Sequence, residues 1–347
     1  MTAAGHRRRL AGVAGLAALA SASALAERRH VRRIAADPEA PALQEPPTGR
    51  PLNIRSADGT RLHAEAFGPE AADTVVLVHG WTETLSFWIY VIPRLIAAGM
   101  RVVAYDLRGH GRSEPAAAGE YALARFGEDL EAVLEASVPE EQRAVVAGHS
   151  LGAMSIAAWA EDHDVPRRVR GVAMINSGVG DLLAEQLLIP VPSIARAVSQ
   201  AIAVRGFLGS RAPLPHFSTP LSYAAVRYSA FGPHASPAQI AFYERMLWTT
   251  PPRARADAGI AMSAMDLFGA LARLTVPTVV VAGAADRLTP PSHSRRIAEM
   301  LPDCRELIVL PDTAHMSPLE RPAEVSAAVL SLAADATEAP SGIARAS

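Results

Sequence analysis

Six short runs of β-branched and apolar residues recur along the chain, most of them followed by a stretch of helical character. They are "TVVLVHG" (74–80), "RVVAYDLRG" (101–109), "RAVVAGHS" (143–150), "VRGVAMINSG" (169–178), "TVVVAGAADRL" (278–288) and "RELIVLPDTAH" (305–315). A run without polar alternation suits a strand buried on both faces. Strands of that kind alternating with helices dictate a mainly parallel sheet with helices on both faces, an α/β fold. Ahead of them, "LNIRSADGTRLHAEAFG" alternates around Asp58-Gly59, a hairpin signal. The helical stretches include "SFWIYVIPRLIAAG", "LARFGEDLEAVLEAS", "LGAMSIAAWAED", "SRRIAEML" and a final one from Pro322 to about residue 334.

The alternation breaks between Gly180 and Leu267, where no buried strand is evident. "DLLAEQLLIPVPSIARAVSQAIAVRGFLG", "SPAQIAFYERMLWTT" and "ADAGIAMSAMDL" carry apolar stripes at helical spacing. The segment is too long for a plain loop. It leaves and re-enters at the C-terminal ends of strands, where open α/β sheets bind ligands. The expected organisation is a core over 51–180 and 267–336, with a helical cap over 181–266 inserted between strands 6 and 7.

The termini read differently. "GHRRRL" precedes a stretch from Leu10 to Ala26 without a charged residue, and "ERRHVRR" follows it. A basic start, an apolar middle and Ala-Leu-Ala before Glu27 fit an export signal. Arginines on both flanks also fit a membrane anchor, or a helix on an anionic surface through residues 7–33. The alternative is a cytoplasmic chain with a poorly ordered leader. Residues 1–50 thus form an apolar, Arg-rich segment followed by a Pro-rich linker, and 337–347 a disordered tail. A net charge of −2 gives no reason to expect nucleic acid as a partner. The single cysteine, Cys304, excludes a disulfide within this chain and any cysteine-based zinc site.

The third run ends in "AGHSLGA", a Gly-x-Ser-x-Gly pattern directly after a strand and directly before a helix. A serine on so sharp a turn needs glycines at 148 and 152, because side chains there would meet the neighbouring backbone. The helix then begins at Ser150 and offers its free N–H groups to a developing oxyanion. A serine hydroxyl is a weak nucleophile and needs a base, and the base needs an orienting acid. Of the 11 histidines, His315 ends the last strand, at the sheet edge where Ser150 lies. Asp286 follows the preceding strand and completes the order Ser, Asp, His. Asp181, after "VAMINSG", is the alternative acid, and Asp312 lies too close to His315 in sequence to be preferred. In "DLRGHGRS" the glycines point to a tight loop, so Asp106, Arg108 and His110 are read as structural, and His79 and His149 as supports of the site.

The pieces "LVHGWTET", "DLRGHGRS", "AGHSLGA", "GAADRLTP" and "TAHMSPLERP" together resemble the α/β-hydrolase fold superfamily, over about residues 51–336. The resemblance implies a catalytic triad of Ser150, Asp286 and His315, with an oxyanion hole built from the backbone N–H groups of Trp81 and Leu151. It implies a serine hydrolase acting on a carboxylic ester of a hydrophobic small molecule or lipid, without metal or organic cofactor. Thioesterases, C–C bond hydrolases and cofactor-free perhydrolases keep the same triad and remain open, as does a ligand-binding protein on the same fold. Capped epoxide hydrolases and haloalkane dehalogenases of the superfamily use a carboxylate nucleophile, so a serine at 150 argues against them.

Overall fold

In the computed structural model, residues 25–117, 120–182, 206, 208–214 and 217–334 are described. Eight strands form one sheet in the order β1-β2-β4-β3-β5-β6-β7-β8. The hairpin expected around Asp58-Gly59 is β1 (Arg50–Arg55) with β2 (Arg61–Phe67), paired antiparallel. The other strands are β3 (Thr74–Val78), β4 (Arg101–Tyr105), β5 (Ala144–His149), β6 (Val169–Ile175), β7 (Thr278–Gly283) and β8 (Cys304–Leu310). From β4 onward across the sheet every pairing is parallel. The apolar runs of β3, β4, β5 and β7 have the cause inferred for them, since every residue of these strands is buried. The run "RELIVLPDTAH" departs from it, because β8 lies at the sheet edge and of its residues only Leu310 is buried.

Helices cover both faces, and the core divides accordingly into two apolar clusters. One holds α2 (Leu123–Ser137) and α3 (Leu151–Asp162). The other holds α1 (Val91–Ala97) and the C-terminal helix over Pro322–Ala334. The stretch read as one helix around residue 88 is two elements. A 3₁₀ turn at Leu85–Trp88, capped by the Thr84 side chain, precedes α1.

Among the described residues of the cap, three helices of more than ten residues lie between β6 and β7. They are α4 (Pro220–Ala230), α5 (Pro237–Thr249) and α6 (Pro252–Ser263). The helix α4 was not anticipated, although its start was legible. Thr219 and Ser222 form a capping box, with proline at the first helical position. The apolar stretch 183–205 lies outside the described residues, as do the apolar leader up to residue 24 and the tail 337–347. Among the described residues no helix is long and apolar enough to cross a membrane. The Pro-rich stretch read as a linker is packed rather than free. Ala40 and Leu43 are buried, and the carboxylate of Asp37 accepts a hydrogen bond from Ala238 N at the start of α5.

The "DLRGHGRS" loop is a structural knot, as its glycines suggested. Asp106 accepts hydrogen bonds from Leu85 N (2.7 Å) and Arg112 N (2.8 Å). The fully buried Arg108 holds Asp129 through two bonds of 2.7 Å, and Asp58 through one of 2.9 Å. Replacing Arg108 by Met leaves Asp129 buried without its counter-charge. The expected cost is roughly 3–5 kcal/mol, read by chemical denaturation. A loss below about 1 kcal/mol would show that the knot carries little stability.

Candidate active site

The strand β5 runs at the centre of the sheet and ends in a turn of extreme sharpness. Ser150 has φ +50° and ψ −115°, a conformation that a residue with a side chain adopts only under constraint. The two flanking glycines make it attainable. A Cβ on Gly148 would stand 2.5 Å from Ala153 N, and one on Gly152 would fall on the carbonyl oxygen of Val78. Ser150 N donates to Ile175 O (2.9 Å), which ties the turn to β6. Leu151 opens α3, so its N–H lies among the first-turn donors that helical geometry leaves unpaired.

The acid and the histidine arrive from the ends of β7 and β8, the second and third strands beyond β5 in the sheet. Asp286 follows β7 and His315 follows β8, and His315 Nδ1 lies 2.8 Å from Asp286 Oδ2. Asp286 Oδ1 accepts from the backbone N–H groups of Leu288 and Thr289, each at 2.9 Å. Its Oδ2 also accepts from Asn176 Nδ2 (3.0 Å) and Thr289 Oγ1 (2.9 Å). Burial alone would raise the Asp286 pKa. The charge of His315 and these hydrogen bonds outweigh it and hold the carboxyl below its ordinary value. Ser150 and His315 both line one cavity of about 470 Å³ between sheet and cap, and Trp81 lies on the same wall.

The alternative acid is elsewhere. Asp181 is exposed and paired with Arg296 Nη1 at 2.9 Å, and Asp312 is likewise exposed. His79 is fully buried, and desolvation holds its pKa well below 6.5. It accepts from Leu107 N through Nε2 (2.9 Å), and its Nδ1 lies 2.8 Å from Gly80 O, which locks the loop after β3.

Sequence reasoning missed several groups. Asn176, at φ +45° after β6, bonds both Asp286 and the carbonyl of Ala314 (3.0 Å each). Asn directly after a buried strand, before Ser-Gly, was the available signal, since Asn tolerates positive φ. Glu83 was missed outright. It is 1% exposed, accepts from Gly80 N (2.5 Å), and pairs with His149 Nδ1 (3.0 Å). The other nitrogen, His149 Nε2, lies 2.8 Å from the carbonyl of His315. Both nitrogens face acceptors, so the ring is held as imidazolium. Burial lowers the His149 pKa, but the charge and hydrogen bond of Glu83 overcome that and raise it.

This pair has a definite pH signature. A raised histidine pKa contributes stability that is fully present below 6.5 and is lost as pH rises through the folded-state value. Glu83→Ala is expected to destabilise by roughly 3–5 kcal/mol near neutrality, by removing the counter-charge that holds the buried His149 ring protonated and in place. The gap to the native protein should narrow as pH rises above 6.5 and through the raised folded-state value, as His149 deprotonates. Thermal unfolding across that range checks it; a constant gap would show that the pair is not ionic.

A parallel sheet of this order, helices on both faces and a cap between β6 and β7 together define a class of α/β enzyme scaffold. The chain belongs to the α/β-hydrolase fold family, whose model matches residues 73–322. A relative from Variovorax paradoxus named as a carbamate hydrolase, RutD, is 31% identical over 258 residues, covering 73% of this chain and 89% of its own. Epoxide hydrolase A of Mycobacterium tuberculosis is 27% identical over 321 residues, covering 79% and 94%. Among solved structures, a hydrolase from Pseudomonas aeruginosa superimposes with a TM-score of 0.62 at 28% identity, covering 83% of this chain and 99% of that one.

Proposed function

We propose that this chain is a serine hydrolase that cleaves a carboxylic ester of a hydrophobic small molecule or lipid. Ser150 Oγ attacks the carbonyl, and His315 takes its proton. Asp286 holds the imidazole in the tautomer that presents a free Nε2 and stabilises the cation that forms. The backbone N–H groups of Trp81 and Leu151 receive the oxyanion. The tetrahedral species collapses with departure of the alcohol, protonated by His315. Water then releases the acyl group from Ser150 by the same steps in reverse roles. The observation that carries this reading is the 2.8 Å bond from His315 Nδ1 to a buried, ionised Asp286, on the cavity wall that also holds a strained Ser150.

A serine at the elbow gives an acyl-enzyme, whereas a carboxylate there would give an alkyl ester, so acyl transfer is favoured over epoxide opening. The cavity wall is dominated by Leu, Met, Val, Ala and Trp, which suits an apolar substrate body. A panel of p-nitrophenyl esters of increasing chain length tests the reading, with a thioester and an aryl carbamate included. The carbamate covers the substrate class in the RutD name. Turnover of the carbamate alone would replace the ester assignment. The N-terminal segment is proposed to associate with a membrane or to direct export through residues 7–33. Exposed Leu25 and Val31 beside exposed Arg28, Arg29, Arg32 and Arg33 support that reading. Fractionation with and without residues 1–33 tests it.

A further inference from the structure

Among the described residues lining the cavity, one cationic side chain has no role in ester cleavage. Arg255, on α6, lines the cavity and is 3% exposed. Among the described residues no carboxylate lies within 4.0 Å of its guanidinium, which distinguishes it from Arg108. Its hydrogen-bond partners are backbone carbonyls: Nη2 donates to Ser210 O (3.3 Å) and Ala212 O (2.5 Å). A guanidinium carries five N–H donors. With two committed to those carbonyls, the Nε donor and the pair on Nη1 remain. Burial lowers its pKa without any opposing charge, the signature of a cation kept in a poorly hydrated place. Such a charge is costly unless something compensates it.

The position of Arg255 is fixed from the reaction side as well. Its backbone carbonyl accepts from the Trp81 indole Nε1 at 2.8 Å, and Trp81 is the residue whose backbone N–H is proposed to bind the oxyanion. The arginine is therefore anchored to the same wall as the reacting centre. That wall is mostly apolar, with Met154, Leu208, Leu214, Val226, Leu247 and Met262, and its one carboxylate among the described residues, Glu83, is committed to His149.

We propose that Arg255 is a specificity-determining residue that receives a carboxylate carried by the substrate, so that the natural ester is an apolar body with one anionic end. The proposal rests on the ester-hydrolase reading and names the substrate class within it. A substrate carboxylate can accept from Nη1 or from Nε and neutralises the buried charge, which a wholly neutral lipid ester cannot do.

The test uses the full chain and paired esters of equal length. One series of p-nitrophenyl esters ends its acyl chain in a carboxylate, and its partner series ends in a methyl group. A second pair places the carboxylate or methyl on the alcohol side. The readout is the ratio of kcat/KM for the carboxylate ester to that for its methyl partner. In the native protein this ratio is expected to exceed about tenfold in one of the two pairs, and to fall to about one in Arg255→Met. Arg255→Lys, which keeps the charge without the planar guanidinium donors, is expected to retain part of the preference.

A native ratio at or below one in both pairs overturns the proposal. So does a ratio unchanged in Arg255→Met, including the case where both rates fall together, which would mark Arg255 as only a brace for Ser210 and Ala212. If Arg255→Met does not fold, the native ratio and Arg255→Lys still decide. A preference for a phosphate-ended ester over the carboxylate one overturns the carboxylate assignment. Hydrolysis of the methyl esters without preference sinks this proposal alone. Absence of hydrolysis of every ester, with no labelling of Ser150 by a fluorophosphonate, sinks the ester reading beneath it.

Discussion

Ser150→Ala is expected to lower kcat for p-nitrophenyl esters by roughly a millionfold, to background, and to abolish labelling by a fluorophosphonate probe. The fold should survive. Alanine at φ +50° carries the same backbone strain as serine, and the change deletes one oxygen from a cavity wall. Ser150→Gly sharpens the expectation. It should be equally inactive but more stable than Ser150→Ala by about 1 kcal/mol, because glycine reaches that conformation without strain. Activity and stability then move in opposite directions at one position, as expected where strain serves to present a nucleophile. Retained turnover in either variant, or probe labelling at another residue, would remove Ser150 from the role proposed here.

Much of this arrangement is legible in the sequence because it rests on local rules. Gly148 and Gly152 mark the elbow through steric exclusion, which depends on a few residues either side. Asp286 and His315 stand where strands end, and apolar runs locate strand ends well. Asp58-Gly59 fixes a hairpin by turn chemistry alone. What could not be read depends on contacts between distant segments. Glu83 reaches His149 across a separation of 66 residues, and Arg255 is tied to Trp81 across 174. No periodicity encodes such pairings, since each needs two loops to be brought together by the sheet order first. Asn176 falls between these cases. Its positive φ follows from local chemistry, but its bond to Asp286 follows only from the pairing of β6 with β7. The packing of 36–51 was missed for a related reason. Proline-rich composition describes the local chain and is silent on whether Leu43 finds a buried place.

Asp286→Asn is expected to lower kcat/KM about a thousandfold to ten-thousandfold while leaving the protein folded. The hydrogen bonds around the side chain dictate why so small a change costs so much. Oδ1 faces two backbone donors, Leu288 N and Thr289 N, so an asparagine must place its carbonyl oxygen there. Its amide nitrogen then occupies the Oδ2 position, 2.8 Å from His315 Nδ1, and donates to it. The imidazole is driven to the tautomer with its proton on Nε2, which cannot accept the Ser150 proton. The same amide also meets Asn176 Nδ2 donor to donor, which adds a stability cost of roughly 1–3 kcal/mol. The carboxylate of Asp286 lies below the ordinary range, so protonation of this acid does not limit the native rate near neutral pH. Asp181→Asn, removing a surface pair with Arg296, should change kcat/KM by less than about threefold. A steady-state comparison of the two variants decides between the acids. Near-native activity in Asp286→Asn, with loss in Asp181→Asn, would reverse the assignment and require the loop after β6 to move toward His315.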